Sequence, residues 1–350
     1  MPKRSIERKT CLVCKNKDLA ALLDFGMQPV CNRFLKTKEE NEHKQLLTIG
    51  LCKHCGLVQL TSHFSAADLQ PKYGWITYTE PEDHLDSLAA KLSKLPNIDK
   101  SAKICGISYK DDSLIGRMKN LGFANAVRLD AKKYLGISKG NLGVETIQNV
   151  LTPKLAESIA KRNGKSDLII ARHILEHASD LPEFMKGIRA LLNRDGYALF
   201  EVPDYTKAFE QFDYSTIWEE HTLYFTPYTL KNCLLSGKFS IEMFEIYKYP
   251  IENSLAAIVK PANIITALTD KNTLQKENTR ALIFSQEFVK RKEKVKSFFS
   301  EYKQQQGKVA IFGAGHSSCL LVNILGLKGE IELIIDDNTN KQGMFMPGSC

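Results

Sequence analysis

Between Ala102 and Val202 short apolar runs alternate with stretches whose apolar residues recur every three or four positions. The runs Ala102–Ser108, Ala126–Asp130, Gly143–Ile147, Asp167–Ile174 and Tyr197–Val202 predict strands. The periodic stretches Ser113–Leu121, Pro153–Asn163 and Leu181–Leu192 predict helices. Strand and helix in alternation point to an α/β fold with a doubly wound, mostly parallel sheet, whose ligands bind beyond the carboxyl ends of the strands. Those tips are Ser108–Asp112, Asp130, Thr146–Gln148, Arg172–His177 and the chain from Pro203 onward. Pro203 cannot donate to a central ladder, so the last strand is expected to leave the sheet there.

On either side the pattern changes. Pro81–Leu95 has helical spacing and stops at Pro96, while the aromatic segment Pro71–Thr79 reads as a linker over a pocket or as a plain hydrophobic plug. Ile241–Tyr247 and Ser254–Val259 predict an antiparallel pair at the sheet edge. A long amphipathic helix is expected from Leu274 to Gln305, with Leu282, Ile283, Phe288, Val289, Val295, Phe299 and Tyr302 as its apolar face. Lys308–Ser318 then reads as strand, glycine turn and helix, and Ile331–Ile335 as a partner strand. This is half of a dinucleotide-type unit, and its G-x-G alone names no ligand. The organisation expected is residues 1–70, 71–262 and 263–350, the last small or incomplete.

Composition adds an address. No run approaches a membrane span and the start lacks the apolar core of a signal peptide, so a cytoplasmic protein is expected. Nine cysteines fit a reducing compartment if four bind metal. Cys11-Leu-Val-Cys14 and Cys52-Lys-His-Cys55 have the spacing of a closed four-thiolate zinc site, which leaves no position open for chemistry. His54 and Cys31 are read as bystanders, and Met27–Phe34 as a surface loop. The net charge of +8 is concentrated between Lys271 and Lys308, where ten Lys/Arg face four Glu. A solvated helix face explains that stretch; nucleic acid or an anionic small molecule is the alternative.

The chemistry concentrates in Gln211–Tyr228. Asp213, Glu219, Glu220 and His221 lie there among Phe212, Trp218, Tyr224, Phe225 and Tyr228. Titratable groups among rings suit a water-excluding pocket, so Glu220-His221 is read as the reacting end; a cap with a surface histidine is the bland alternative. Asp130 can hold ribose hydroxyls, or merely end its strand. Glu176-His177 begins the next helix and either caps it or reaches the pocket, with the structural role the favoured reading for both.

The order of these parts resembles the zinc-containing, S-adenosylmethionine-dependent C-methyltransferases of nucleotide-linked 4-keto-deoxysugars. The likeness runs over nearly the whole chain: the two cysteine knuckles with Gly56–Leu60, Gln28-Pro29 with Asn32 and Phe34, Ala171–Asp180, Phe200–Asp204, Glu220-His221…Tyr224, and Asp336-Asp-Asn338…Lys341-Gln-Gly343…Pro347-Gly348. It implies a structural Zn2+ on Cys11, Cys14, Cys52 and Cys55, a central Rossmann-like sheet for S-adenosylmethionine and a Rossmann-like C-terminal unit helping to hold a sugar nucleotide. Cofactor contacts are expected from Gly106, Ser108, Asp111, Asp130, Gln148 and His173. The resemblance implies His221 as the base, with Glu220 orienting or balancing its ring and Tyr224 donating to the oxyanion.

Departures concentrate on the site walls. The family's cofactor turn reads like Glu-Ile-Gly-Ser-Asn-Asp-Gly, whereas this chain has Gly106-Ile-Ser-Tyr-Lys-Asp-Asp112. Trp218 replaces a Tyr, Tyr73-Gly74-Trp75 a Tyr-Pro-Tyr-like element, and Glu252-Asn-Ser-Leu-Ala256 a Gly-Gly-Ser-Leu-Arg strand. Three functions remain open: a divergent C-methyltransferase, a relative that has lost methyl transfer but still handles a nucleotide sugar, and a zinc-ribbon adaptor on nucleic acid.

Overall fold

A computed structural model describes residues 8–62, 64–74, 80–136, 143–263 and 270–349. The Trp75–Thr79 part of the aromatic linker lies outside the described residues.

The chain begins with β1 (Leu19–Pro29), β2 (Lys44–Cys52), β3 (Val58–Leu60) and the short α1 (Ala66–Leu69). β1 pairs antiparallel with β2, and β2 with β3. The expected surface loop at Met27–Phe34 is instead the end of β1 and a buried turn. Met27 is exposed, but Gln28, Val30, Cys31, Asn32 and Phe34 are buried. Polar Gln28 and Asn32 hid this from a hydropathy reading.

The central unit runs α2 (Leu85–Leu92), β4 (Ile104–Gly106), α3 (Asp112–Asn120), β5 (Ala126–Arg128), α4 (Ala131–Leu135), α5 (Val144–Val150), α6 (Pro153–Asn163), β6 (Ser166–Arg172), α7 (Leu181–Leu191), β7 (Leu192–Asp204), α8 (Thr206–Gln211), β8 (Leu223–Tyr224), α9 (Pro227–Ser236), β9 (Phe239–Tyr247) and β10 (Asn253–Pro261). Its sheet has the order β5-β4-β6-β7-β10-β9, parallel from β5 to β7 and antiparallel at the β10-β9 edge. The winding reverses between β4 and β6, which opens a crevice at their carboxyl ends.

Two expectations fail here. Gly143–Ile147 is not a strand: Val144–Val150 is helical and buries Val144, Ile147 and Gln148. Its valines and isoleucine suit strands, but packing on one helical face overrides that preference. Nor does the chain leave the sheet at Pro203, which is paired with Ser254 of β10. β6 ends at Arg172, opposite Glu201, so Pro203 has β10 alone alongside and behaves as an edge residue.

α7 shows how sequence becomes packing. Asp180 caps it through the Glu183 N–H, Pro182 stands in its first turn, and Leu181, Phe184, Met185, Ile188 and Leu191 form one buried stripe against the sheet. Each contributes about 1.5–3 kcal/mol by leaving water. α2 and α3 cover the opposite face through Leu85, Leu88, Leu114 and Met118.

The last unit is α10 (Lys271–Gln306), β11 (Ala310–Phe312), α11 (His316–Leu325) and β12 (Leu333–Ile335), with β11 and β12 parallel. α10 packs through Ala281, Phe284 and Phe288, whereas Leu282, Ile283 and Val289 point outward. The apolar face read from sequence therefore holds only in part, because α10 leans on the core by a narrow stripe.

β8 departs from the central sheet. It pairs with β3, becoming the fourth strand of the N-terminal sheet, and so carries the loop before it onto that domain.

Candidate active site

The knuckles come first. Cys11 Sγ lies 3.6 Å from Cys55 Sγ, and Cys14 Sγ 3.4 Å from Cys52 Sγ. Four sulfurs at Zn–S of about 2.3 Å stand about 3.8 Å apart in a tetrahedron, so the geometry fits the ion. Gln59 braces the first knuckle by accepting from the Leu12 N–H at 2.9 Å. Gly56 closes the second at φ +79°, and a Cβ there would stand 2.9 Å from Glu277 Cβ on α10. The glycine is needed both for the turn and for the helix beside it.

At the sheet rim, Asp111 explains the turn that lacks its glycines. Its Oδ2 accepts from the Ile107 and Ser108 N–H groups at 2.7 and 2.8 Å, and its Oδ1 from Arg172 N–H at 2.8 Å. A Cβ on Gly106 would stand 2.8 Å from Asp111 Cβ and 2.6 Å from Ile115 Cδ1. Gly106 is thus required by the brace, and among the described residues neither it nor the fully buried Asp111 lines the two cavities at this rim, although both are expected as cofactor contacts. Gln148 is likewise turned away, donating to Glu145 O and accepting from the Ser179 N–H. Ser108 and Asp130 do line a cavity of about 880 Å³ with Ile115, Leu129 and Ile147. Lys119, Arg128 and Lys132 also line it, so the cavity joins apolar surface to an acid and to cationic side chains, which suits a nucleoside carrying polar groups. Tyr109 closes the inner end of that cavity and is also a wall of the next pocket.

That inner pocket, of about 40 Å³, is lined by Lys110, His173, Glu176, His177, Glu220 and His221 among others. Glu176-His177 therefore faces the pocket, and the cap of α7 is Asp180. His173 stands at φ +47° at the tip of β6, a strained conformation pinned by its N–H donating to Glu201 O at 2.8 Å. Burial opposes its charge, but Glu80, Glu176 and Glu201 hold it protonated up to about 10. Burial likewise opposes the charge of His177, which Glu145, at 2.9 Å from Nδ1, raises. Lys110 pairs with Glu80 at 2.7 Å. Glu201, also bound to Arg172 Nε at 2.6 Å, stays ionised against its burial because His173, His84 and Arg172 surround it.

A pH dependence follows. His173 binds its proton more tightly folded than unfolded, so its stabilisation is complete below about pH 6.5 and is lost as pH rises toward 10. Thermal melting of the protein should fall over that window, and His173→Gln should flatten the slope. Equal slopes in both proteins would remove His173 from the account.

His221 is 5% exposed and its Nδ1 meets the Tyr205 hydroxyl, a partner that no motif points to. Burial, followed by His177, His316, His173 and Lys110, drives its pKa well below the ordinary imidazole value. Glu220 does not hold that ring. Its Oε1 accepts from Asn32 Nδ2 at 2.7 Å and stands 3.4 Å from His316 Nε2. Burial, with Glu145 and Glu219, raises its pKa against the pull of His316. The Tyr224 hydroxyl donates to Trp218 O at 2.9 Å, a backbone brace that takes it away from the oxyanion role expected of it.

Three families match in order: a zinc binding domain over residues 11–69, a methyltransferase domain over 85–241 and a C-methyltransferase C-terminal domain over 261–350. The C-methyltransferase NovU of Streptomyces niveus is 26% identical over 97% of this chain and 84% of its own length. Among solved structures, an O-methyltransferase family protein from Burkholderia thailandensis aligns over 52% of this chain and 58% of that one at 10% identity and a TM-score of 0.34. The trans-methyltransferase CalH, bound to S-adenosylhomocysteine, aligns over 51% and 55% at 12% identity and a TM-score of 0.33. Taken together, the matches make this chain a zinc-binding domain, a methyltransferase domain and a C-methyltransferase C-terminal domain in that order, the organisation of the C-methyltransferases its motifs resemble.

Proposed function

We propose that the protein methylates the carbon next to the ketone of a nucleotide-linked keto-deoxysugar, with His221 as the base. The observation that carries this reading is a buried imidazole, held neutral, whose Nδ1 meets the Tyr205 hydroxyl; with Nδ1–H donating to that oxygen, Nε2 keeps the lone pair that accepts a proton. Ser108 and Asp130, which line the larger cavity, would hold the nucleoside of S-adenosylmethionine, and that group would supply an electrophilic methyl. Removing the proton next to a ketone leaves an enolate, whose oxygen needs positive charge nearby. His173, His177 and Lys110 line the same pocket and supply it. The charge that weakens His221 as a base also makes the sugar carbon more acidic, so the proton transfer stays matched. Glu220, a wall of the same pocket, keeps the loop in register through its hydrogen bond with Asn32. A pocket of about 40 Å³ holds little more than a water, so sugar entry requires the Tyr109 ring to swing from its position between the two spaces.

The test is incubation with a nucleotide-linked 4-keto-deoxysugar and methyl-labelled S-adenosylmethionine. The expected product carries one label on carbon, and without methyl donor the adjacent proton exchanges into heavy water. Absence of both, with the substrate bound, would overturn the reading. Tyr109 standing across the path and Asp111 sealing the turn favour a second one, a relative that keeps the sugar site without methyl transfer. That reading expects no S-adenosylhomocysteine binding by calorimetry, with nucleotide-sugar affinity retained.

A further inference from the structure

Behind Trp218, on the far side of the inner pocket wall, donors from three parts of the chain meet. Cys31 follows β1, Glu219 lies on the loop before β8, and His316 is the first residue of α11. They are 3%, 1% and 5% exposed. One donor atom from each lies within 4.8 Å of the other two. Glu219 Oε1 accepts from the Cys31 N–H at 2.6 Å and stands 3.6 Å from His316 Nε2, whose ring leans on Trp218 at 4.8 Å between centroids. Among the described residues Glu219 Oε2 has no hydrogen-bond partner, although the side chain is wholly buried. A carboxylate oxygen shut away from water in this manner calls for a cation or a proton.

We propose that Cys31, Glu219 and His316 bind a second zinc ion, separate from the four-cysteine site, which fastens the N-terminal domain, the loop bearing His221 and the C-terminal unit together. A thiolate, an imidazole and a carboxylate are the mixed donors that zinc accepts, whereas magnesium and calcium favour oxygen alone. Cys319 follows His316 by one helical turn and its thiol interacts with that of Cys31, so it is the nearest further sulfur to complete four-coordination. The donors arise from segments 188 residues apart between Cys31 and Glu219, a separation no local sequence motif would reveal. The ion would sit one residue from Glu220 and two from His221, setting where that loop stands.

The competing arrangement is a metal-free one, with a protonated His316 bridging Glu219 and Glu220, whose Oε1 lies 3.4 Å away. Elemental analysis of the purified full-length protein separates the two. Two zinc ions per chain are expected, falling to one in Cys31→Ser and in His316→Gln while Cys11, Cys14, Cys52 and Cys55 keep theirs. One zinc per chain in the unsubstituted protein, or two persisting in both variants, overturns the proposal. Should the variants not fold, zinc-edge anomalous diffraction from crystals of the unsubstituted protein decides. A second peak between Cys31 and His316 supports the site, and a single peak at the four cysteines overturns it.

Discussion

His221→Ala lowers methyl transfer by about 10²–10⁴-fold, the range lost when a positioned acid or base is removed. On the proposed function the loss falls on kcat, because the ring would meet the sugar's proton and not the nucleotide. S-adenosylhomocysteine binding should stay within a few-fold, since Ser108 and Asp130 lie in the other cavity. Exchange of the sugar proton into heavy water should disappear together with methylation. A variant that still exchanges the proton but no longer methylates would assign the base elsewhere. The pH profile provides a second reading of the same residue. His221 is held neutral well below the ordinary imidazole range, so its own titration should not limit the rate near pH 6.5. Loss of rate is expected instead at alkaline pH, where His173, protonated up to about 10, gives up the charge that faces the enolate.

Cys52→Ser has the largest expected effect on stability. Structural zinc contributes on the order of 10 kcal/mol to the domains it closes, comparable with the whole stability of a typical domain, about 5–15 kcal/mol. Cys52 is fully buried at the end of β2, so losing its thiolate opens the metal site and exposes the end of the strand. The expected result is loss of one zinc ion, early melting and rapid proteolysis of the first 70 residues. Cys233→Ser is the control, a buried cysteine outside either metal cluster, and should cost about 1–3 kcal/mol for burying an extra hydroxyl without losing metal. Equal melting of Cys52→Ser and the parent would argue that the four sulfurs hold nothing.

The central sheet was legible because α6, α7, β6 and β7 carry their signals locally, in period, caps and apolar runs. The knuckles were legible because their spacing encodes their geometry. What could not be read were contacts whose two halves lie far apart. Asn32 reaches Glu220 across 188 positions, and Arg172 joins the Asp111 turn across 61. Gly106 looked like a remnant of a cofactor turn and proved to be room for Asp111. Tyr224 looked available and proved bonded to its own loop, while the unremarkable Tyr205, just past Asp204, meets the imidazole. Valine-rich α5 misled because its burial is one-sided in three dimensions.

The pairing of β8 with β3 has a practical bearing on how this enzyme can be dissected. Leu223 and Tyr224, two and three residues past the proposed base, complete a ladder belonging to the module with the four cysteines. Excising that module would strip a strand partner from the very segment that carries the chemistry. The two modules should therefore be inherited, expressed and inactivated as one piece, and swapping the first module for that of a distant relative would be felt at the sugar before it was felt at the zinc.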